Sequence, residues 1–126
     1  MCPGKIEFGK AAEEAAVNFL RAKGYKILER NYKNKFGEID IIAKDKGVIC
    51  FLEVKARHSS EFGLPQEAVS HLKQQKISRV AVTYLKSNKL LDCCARFDVL
   101  ALLYTDNQPA ISLITNAFEL SSNFTV

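Results

Sequence analysis

Apolar residues return every three or four positions across KIEFGKAAEEAAVNFLRAKG, residues 5–24, where Ala12, Ala15, Ala16, Phe19 and Leu20 share one side of a helical turn and Gly24 supplies the stop. An amphipathic helix is predicted there. From Tyr25 the period shortens to two: YKILERN reads as a short strand, and the polar NYKNKFG, residues 31–37, as a turn or loop. GEIDIIAKD and VICFLEVK then form a hairpin about Lys46 and Gly47, and the second of these is apolar at nearly every position, as in a central strand covered on both faces. Helices are therefore expected on both sides of the sheet. Beyond SSEFGLP, Pro65 can open a short helical turn, and Ser70 can cap a longer helix over residues 71–87 with Ile77, Val80, Ala81, Tyr84 and Leu85 as its apolar stripe. ARFDVLALLYT and PAISLI read as two further strands joined by DNQ, and no pattern is visible from Asn116 onward. The predicted order is helix, three strands, helix, two strands, an α/β arrangement.

The length of 126 residues and a hydrophobic content of 48% suit one domain, residues 1–126, with enough apolar surface to build a core unaided. No repeat or low-complexity segment divides it. Cys2, Cys50, Cys93 and Cys94 follow neither a disulfide framework nor the paired spacing of a zinc site, so free thiols in a reducing compartment are expected. Neither a signal-peptide core nor a membrane-spanning apolar run is present in the sequence, which points to a cytoplasmic protein. The net charge of +4 is carried by the half ending at Arg57, a mild excess compatible with a phosphate-bearing partner and specific to none.

Charges in the hairpin change this picture. Glu38 and Asp40 lie on its first strand and Glu53 and Lys55 on its second, within segments otherwise committed to burial. Residues two apart share a strand face, and with Lys46 and Gly47 in the turn, the count from Asp45 opposite Val48 brings Asp40 opposite Glu53. Two opposed carboxylates repel unless a cation sits between them, and Lys55 or a divalent metal can fill that role. Magnesium suits one or two carboxylates with water and substrate phosphate, which would support metal-assisted hydrolysis of a phosphodiester. An ordinary ion pair from Glu53 to Lys55 or Lys44 is the competing explanation.

The helices add candidates. At 100° per residue, Glu13 flanks the apolar face of the first helix and can reach the sheet, whereas Glu14 points away with Lys10 and Arg21. Lys73 and Gln74 fall in the apolar sector of the second helix, placed to bind phosphate or order a carboxylate, or simply to extend to solvent. Lys33, Lys35 and Arg57 join Lys73 as cations for a phosphate groove, while Lys76 and Arg79 are assigned to the solvated face. His58 and His71 are isolated and receive no role.

With these residues in place, the sequence resembles the PD-(D/E)xK nuclease superfamily, and within it the YraN-like family related to archaeal Holliday-junction resolvases. The likeness spans GKAAEEAAVNFLRAKGYKILERNY, FGEIDIIAKDKGVICFLEVKAR, HLKQQKISRVAVTYL and RFDV. It implies a restriction-endonuclease-like core of helix, three antiparallel strands, helix and further strands. It implies Asp40 and Glu53 as metal ligands for Mg2+ or Mn2+, Lys55 as the catalytic lysine, and Glu13 as an additional carboxylate ligand from the first helix. Ile39 stands where the superfamily's proline would be, and Ala12 where a glycine is usual before the helix glutamate. The implied activity is a metal-dependent deoxyribonuclease acting on DNA, including branched or structured forms, with a homodimer suited to a two-fold substrate. Two alternatives remain open at this point: a non-catalytic nucleic-acid-binding or partner-docking module that keeps the fold, and a nuclease acting on RNA.

Overall fold

Lys46 and Gly47 both adopt positive φ, 50° and 87°, the backbone that a two-residue type I′ turn demands and that matches the twist of the strands it joins. The turn sets the register of everything N-terminal to it. In the computed structural model, which describes residues 5–58, 70–105 and 108–118, Asp45 pairs with Val48 and the ladder runs back through Ala43 opposite Cys50 to Ile41 opposite Leu52. These strands are β2 (Gly37–Asp45) and β3 (Val48–His58); they are preceded by α1 (Lys5–Ala22) and β1 (Lys26–Asn34) and followed by α2 (His71–Ser87), β4 (Ala95–Thr105) and β5 (Gln108–Phe118). One mixed sheet holds all five strands in the order β1-β2-β3-β4-β5. Its first three strands form an antiparallel meander, β4 returns through α2 to run parallel to β3, and β5 folds back antiparallel on β4.

Each face of the sheet is covered by one helix, as the apolar run of β3 requires. On one side Ala12, Ala16, Val17 and Leu20 of α1 pack on Ile41, Ala43, Cys50, Leu52, Leu100 and Leu102. On the other, Ile77, Val80, Ala81, Tyr84 and Leu85 of α2 pack on Ile39, Ile42, Ile49, Phe51, Phe97 and Val99. The predicted stripe of α2 is buried throughout, and Ser70 accepts the Lys73 amide at the helix start, satisfying an otherwise orphaned donor. Val17, outside the predicted stripe of α1, is fully buried and moves the centre of that face by one position. Among the described residues no helix is long and apolar enough to cross a membrane.

Besides β3, which runs three residues past Lys55 to His58, two boundaries differ from the sequence reading. NYKNKFG is strand as far as Asn34, because Tyr32 sits edge-on against Tyr84 at 5.1 Å and pairs with Ile39, so a polar-looking segment gains an aromatic anchor. The turn proper is reduced to Lys35 and Phe36, held by the Phe36 amide donating to Asn34 Oδ1 at 2.9 Å. At the other edge β5 continues past Ile114 to Phe118 through an irregularity opposite Asp98, where Asn116 takes φ 52°. Asp98, only 1% exposed, accepts the Asn116 amide at 2.9 Å and the Arg96 guanidinium at 2.9 Å. The short helical turn expected at Pro65 lies outside the described residues.

Candidate functional site

The face alternation of β2 breaks at one residue. Ile39 and Ile42 face α2 while Ile41 and Ala43 face α1, and Asp40 occupies the break. The backbone ladder between β2 and β3 ends at Ile41 and Leu52. Beyond it the Val54 amide donates to Asp40 Oδ2 at 2.9 Å, so the aspartate side chain takes a place that a strand carbonyl would otherwise fill. The two strands fork here, and the carboxylate is fixed in the fork. The register counted from the turn thus holds from Asp45 to Ile41 and stops one rung short of Glu53, whose charge nevertheless acts on Asp40.

Glu53 and Lys55 point from β3 toward α2, two residues apart on one face. Lys55 Nζ lies 3.9 Å from Glu53 Oε1, and the same oxygen pairs closely with the Lys73 ammonium from the first turn of α2. Glu53 is sheltered, with 11% of its side chain exposed. The ion pair that the sequence offered to Lys55 or Lys44 is therefore made by Lys55 and Lys73. The two lysines differ electrically: burial and then the Lys73 charge lower the pKa of Lys55, whereas for Lys73 the effect of burial is outweighed by the bond to Glu53 and its charge, and the pKa rises. Lys73 is the counter-ion of Glu53. Lys55 is the more easily deprotonated cation.

Burial, followed by the Glu53 charge, pushes the Asp40 carboxyl up to about 7, against the opposing Val54 hydrogen bond. A carboxyl that holds its proton more tightly folded than unfolded contributes stability that is complete below about pH 3.8 and is lost as pH rises through about 7. In chelator-treated buffer Asp40→Asn, which retains the acceptor for Val54, is expected to be more stable than wild type at pH 8 by about 2 kcal/mol and no different near pH 4. Paired urea titrations at the two pH values check this; equal stability at pH 8 would show that the Asp40 charge is already neutralised.

Glu13 approaches from the opposite face. It lines an open cleft of about 300 Å3 with Gly9, Ala12, Asp40, Val54, Lys55 and Ala56, and its Oε1 is buried without a hydrogen-bond partner among the described residues. Among the described residues no three His, Cys, Asp or Glu side chains stand close enough to hold a metal as a group. Asp40 and Glu53 make the acidic pair, and Glu13 is a third carboxylate residue lining the adjoining cleft. Glu14, expected to face water, is exposed and also meets Arg30 of β1 at 2.9 Å.

The other predicted nucleic-acid contacts are spread out. Lys33 is exposed on β1 and lies 3.6 Å from Glu38. Lys35 sits in the β1–β2 turn with its ammonium 5.1 Å from the Phe36 ring centre. Arg57 lies farther along β3, and Gln74 follows Lys73 on α2; both are half-buried and make contacts of their own. Arg79, assigned from sequence to the solvated face, stands with its guanidinium 5.5 Å from the Phe36 centre. Lys76 and Leu72 line the same groove. Their three- and four-residue spacing on α2 was the visible signal, but without the β1–β2 turn it had no counterpart. Cys50 is buried, its thiol pushed up to about 12 by that burial, and Cys93 and Cys94 are free.

A model of Uncharacterised protein family UPF0102 matches residues 12–102, which includes Glu13, the whole hairpin, α2 and most of β4. A UPF0102 protein of Trichlorobacter lovleyi is 47% identical over 120 residues, covering 94% of each chain. One from Geobacter metallireducens is 48% identical over 90% of this chain and 93% of its own, and one from Caldicellulosiruptor saccharolyticus 45% identical over 90% and 98%. Their shared name carries no activity.

Proposed function

We propose that this chain, which belongs to the UPF0102 family, is a metal-dependent endonuclease of restriction-endonuclease-like fold that hydrolyses phosphodiester bonds in DNA. The observation that carries the reading is the fork between β2 and β3, where Asp40 is fixed by the Val54 amide beside Glu53 and Lys55 lies 3.9 Å from the glutamate. A sheet gains nothing from forcing a carboxyl to ionise beside another in a sheltered place, and such perturbed pairs concentrate where chemistry needs them.

The donor set fits a hard divalent cation. Asp40 and Glu53 supply only oxygen, the Oε1 of Glu13, unpartnered among the described residues, lies at the same end of the sheet, and magnesium is satisfied by one or two carboxylates, water and substrate phosphate. Bound there, the ion would polarise the phosphate and acidify a bound water. The protein's own groups then have distinct tasks. Asp40 and Glu53 would present their oxygens to the ion from fixed positions, so little reorganisation would be needed as charge develops on the phosphate. Lys55, its ammonium already partly desolvated, orients the attacking water and faces the developing negative charge. Lys73 is the counter-ion of Glu53, and with a cation held by Glu53 its ammonium would be free to face the substrate phosphate.

The test is incubation of the purified protein with single-stranded, duplex, flap and four-way-junction DNA, with and without magnesium. Cleavage that depends on magnesium in at least one substrate is expected. Asp40→Asn and Glu53→Gln, which keep side-chain shape while removing a ligand charge, are each expected to lower calorimetric affinity for magnesium or manganese at least tenfold. Unchanged affinity in both would overturn the metal site, and no cleavage of any substrate would leave a binding module with this fold.

A further inference from the structure

A second concave surface opens beside α2, away from the acidic pair. Leu72, Gln75, Lys76 and Arg79 share one side of the helix, and with Lys35 and Phe36 of the β1–β2 turn they enclose a groove of about 330 Å3. Of the six described residues that line it, three are cations and none is acidic. Two of those cations are located by the same aromatic ring, Lys35 at 5.1 Å and Arg79 at 5.5 Å from the centre of Phe36. Leu72 is 62% exposed, more than Leu91 or Leu103, and it stands among the cations of the groove. It directly precedes Lys73, so the groove begins one residue from the ion pair at Glu53.

Phosphate alone explains the cations but not the exposure of Leu72, while Phe36, packed in part against the core beneath α2, still presents its ring to the groove. In a duplex the base faces are stacked inside, and an apolar side chain on a flat basic surface meets only sugars and phosphates; an unpaired strand offers both charged backbone and open base faces. We infer that this groove grips an unpaired stretch of a DNA strand, with Lys35, Lys76 and Arg79 on its phosphates and Leu72 and Phe36 against its bases. The inference rests on the nuclease reading for its substrate and deepens it: the preferred DNA carries single-stranded character beside the scissile phosphate, as in a flap or an opened junction.

The experiment is a fluorescence anisotropy titration with calcium replacing magnesium, using a single-stranded oligonucleotide, a flap duplex and a blunt duplex of equal length. Wild type is expected to bind the first two about tenfold tighter than the blunt duplex. Leu72→Ser, at an exposed position that folding does not depend on, is expected to weaken single-strand and flap binding about five- to tenfold while changing duplex affinity less than twofold. Lys76→Ala is expected to flatten the single-strand salt dependence by about 0.7 in log–log slope, the value of one phosphate contact. No preference in wild type, or an equal loss on all three substrates in Leu72→Ser, overturns the inference. A parallel incubation in magnesium separates the two readings: binding that follows the prediction without cleavage removes the nuclease assignment and keeps the groove, whereas cleavage with binding indifferent to Leu72 does the reverse.

Discussion

Lys55→Ala is expected to slow single-turnover DNA cleavage by about two to four orders of magnitude while changing DNA affinity in calcium by less than threefold. The division follows from the position of the ammonium. Its near neighbours are Glu53 and Lys73, and it lines the cleft with Glu13 and Asp40, so it faces the place where a water and a phosphate would meet. An interaction made chiefly as charge develops appears in rate and hardly in binding. Lys55→Arg is not expected to restore the rate, because a planar fork cannot replace a compact charge whose proton burial has already loosened. Wild-type cleavage by Lys55→Ala would remove the nuclease assignment from this hairpin. The Lys73→Ala variant provides the contrast, since its partner Glu53 would lose a counter-ion and its main effect is expected on metal and DNA binding.

The largest expected loss of stability belongs to the far end of the sheet. Asp98→Ala is expected to cost about 3–5 kcal/mol in urea unfolding, lowering Tm by about 10–20 °C. The carboxylate is buried between two obligations: it accepts the Arg96 Nε and the amide of Asn116, whose left-handed backbone marks the irregularity in β5. Removal would orphan that amide and leave Arg96 to Asp45 at 3.3 Å and the Tyr25 hydroxyl at 2.7 Å. Asp98→Asn keeps an acceptor for Asn116 and is expected to cost distinctly less. A loss below about 1 kcal/mol for Asp98→Ala would mean that Asp45 alone satisfies the guanidinium.

How much of this was readable in the chain depends on the range of the determining contacts. The hairpin register followed from Lys46 and Gly47 because turn geometry is local, and with it came the approach of Asp40 to Glu53. The stripe of α2 was equally plain. What escaped depended on contacts between distant segments: the extension of β1 needed Tyr84 beneath Tyr32, and that of β5 needed Asp98 opposite Asn116. At the site, the sequence offered Lys55 and Lys73 as separate cations, and only their convergence on one oxygen of Glu53 distinguishes their roles. The fork that frees Asp40 from the ladder is likewise invisible in a count of alternating residues. Phe36 stood in a polar loop and Arg79 on a charged helix face, with nothing in either segment to announce the other.

The parallel pairing of β3 with β4 has a consequence for how the chain acquires its shape. Every other pairing in the sheet joins strands adjacent in sequence, across short connections, whereas Ile49 meets Ala95 only after α2 has crossed the sheet. During synthesis, α1 and the β1–β3 meander emerge first, and until β4 arrives the apolar first half of β3 is an open edge. That interval is when neighbouring nascent chains are most able to pair with one another. A ribosome paused between α2 and β4 would prolong it, and truncation before Ala95 would make it permanent.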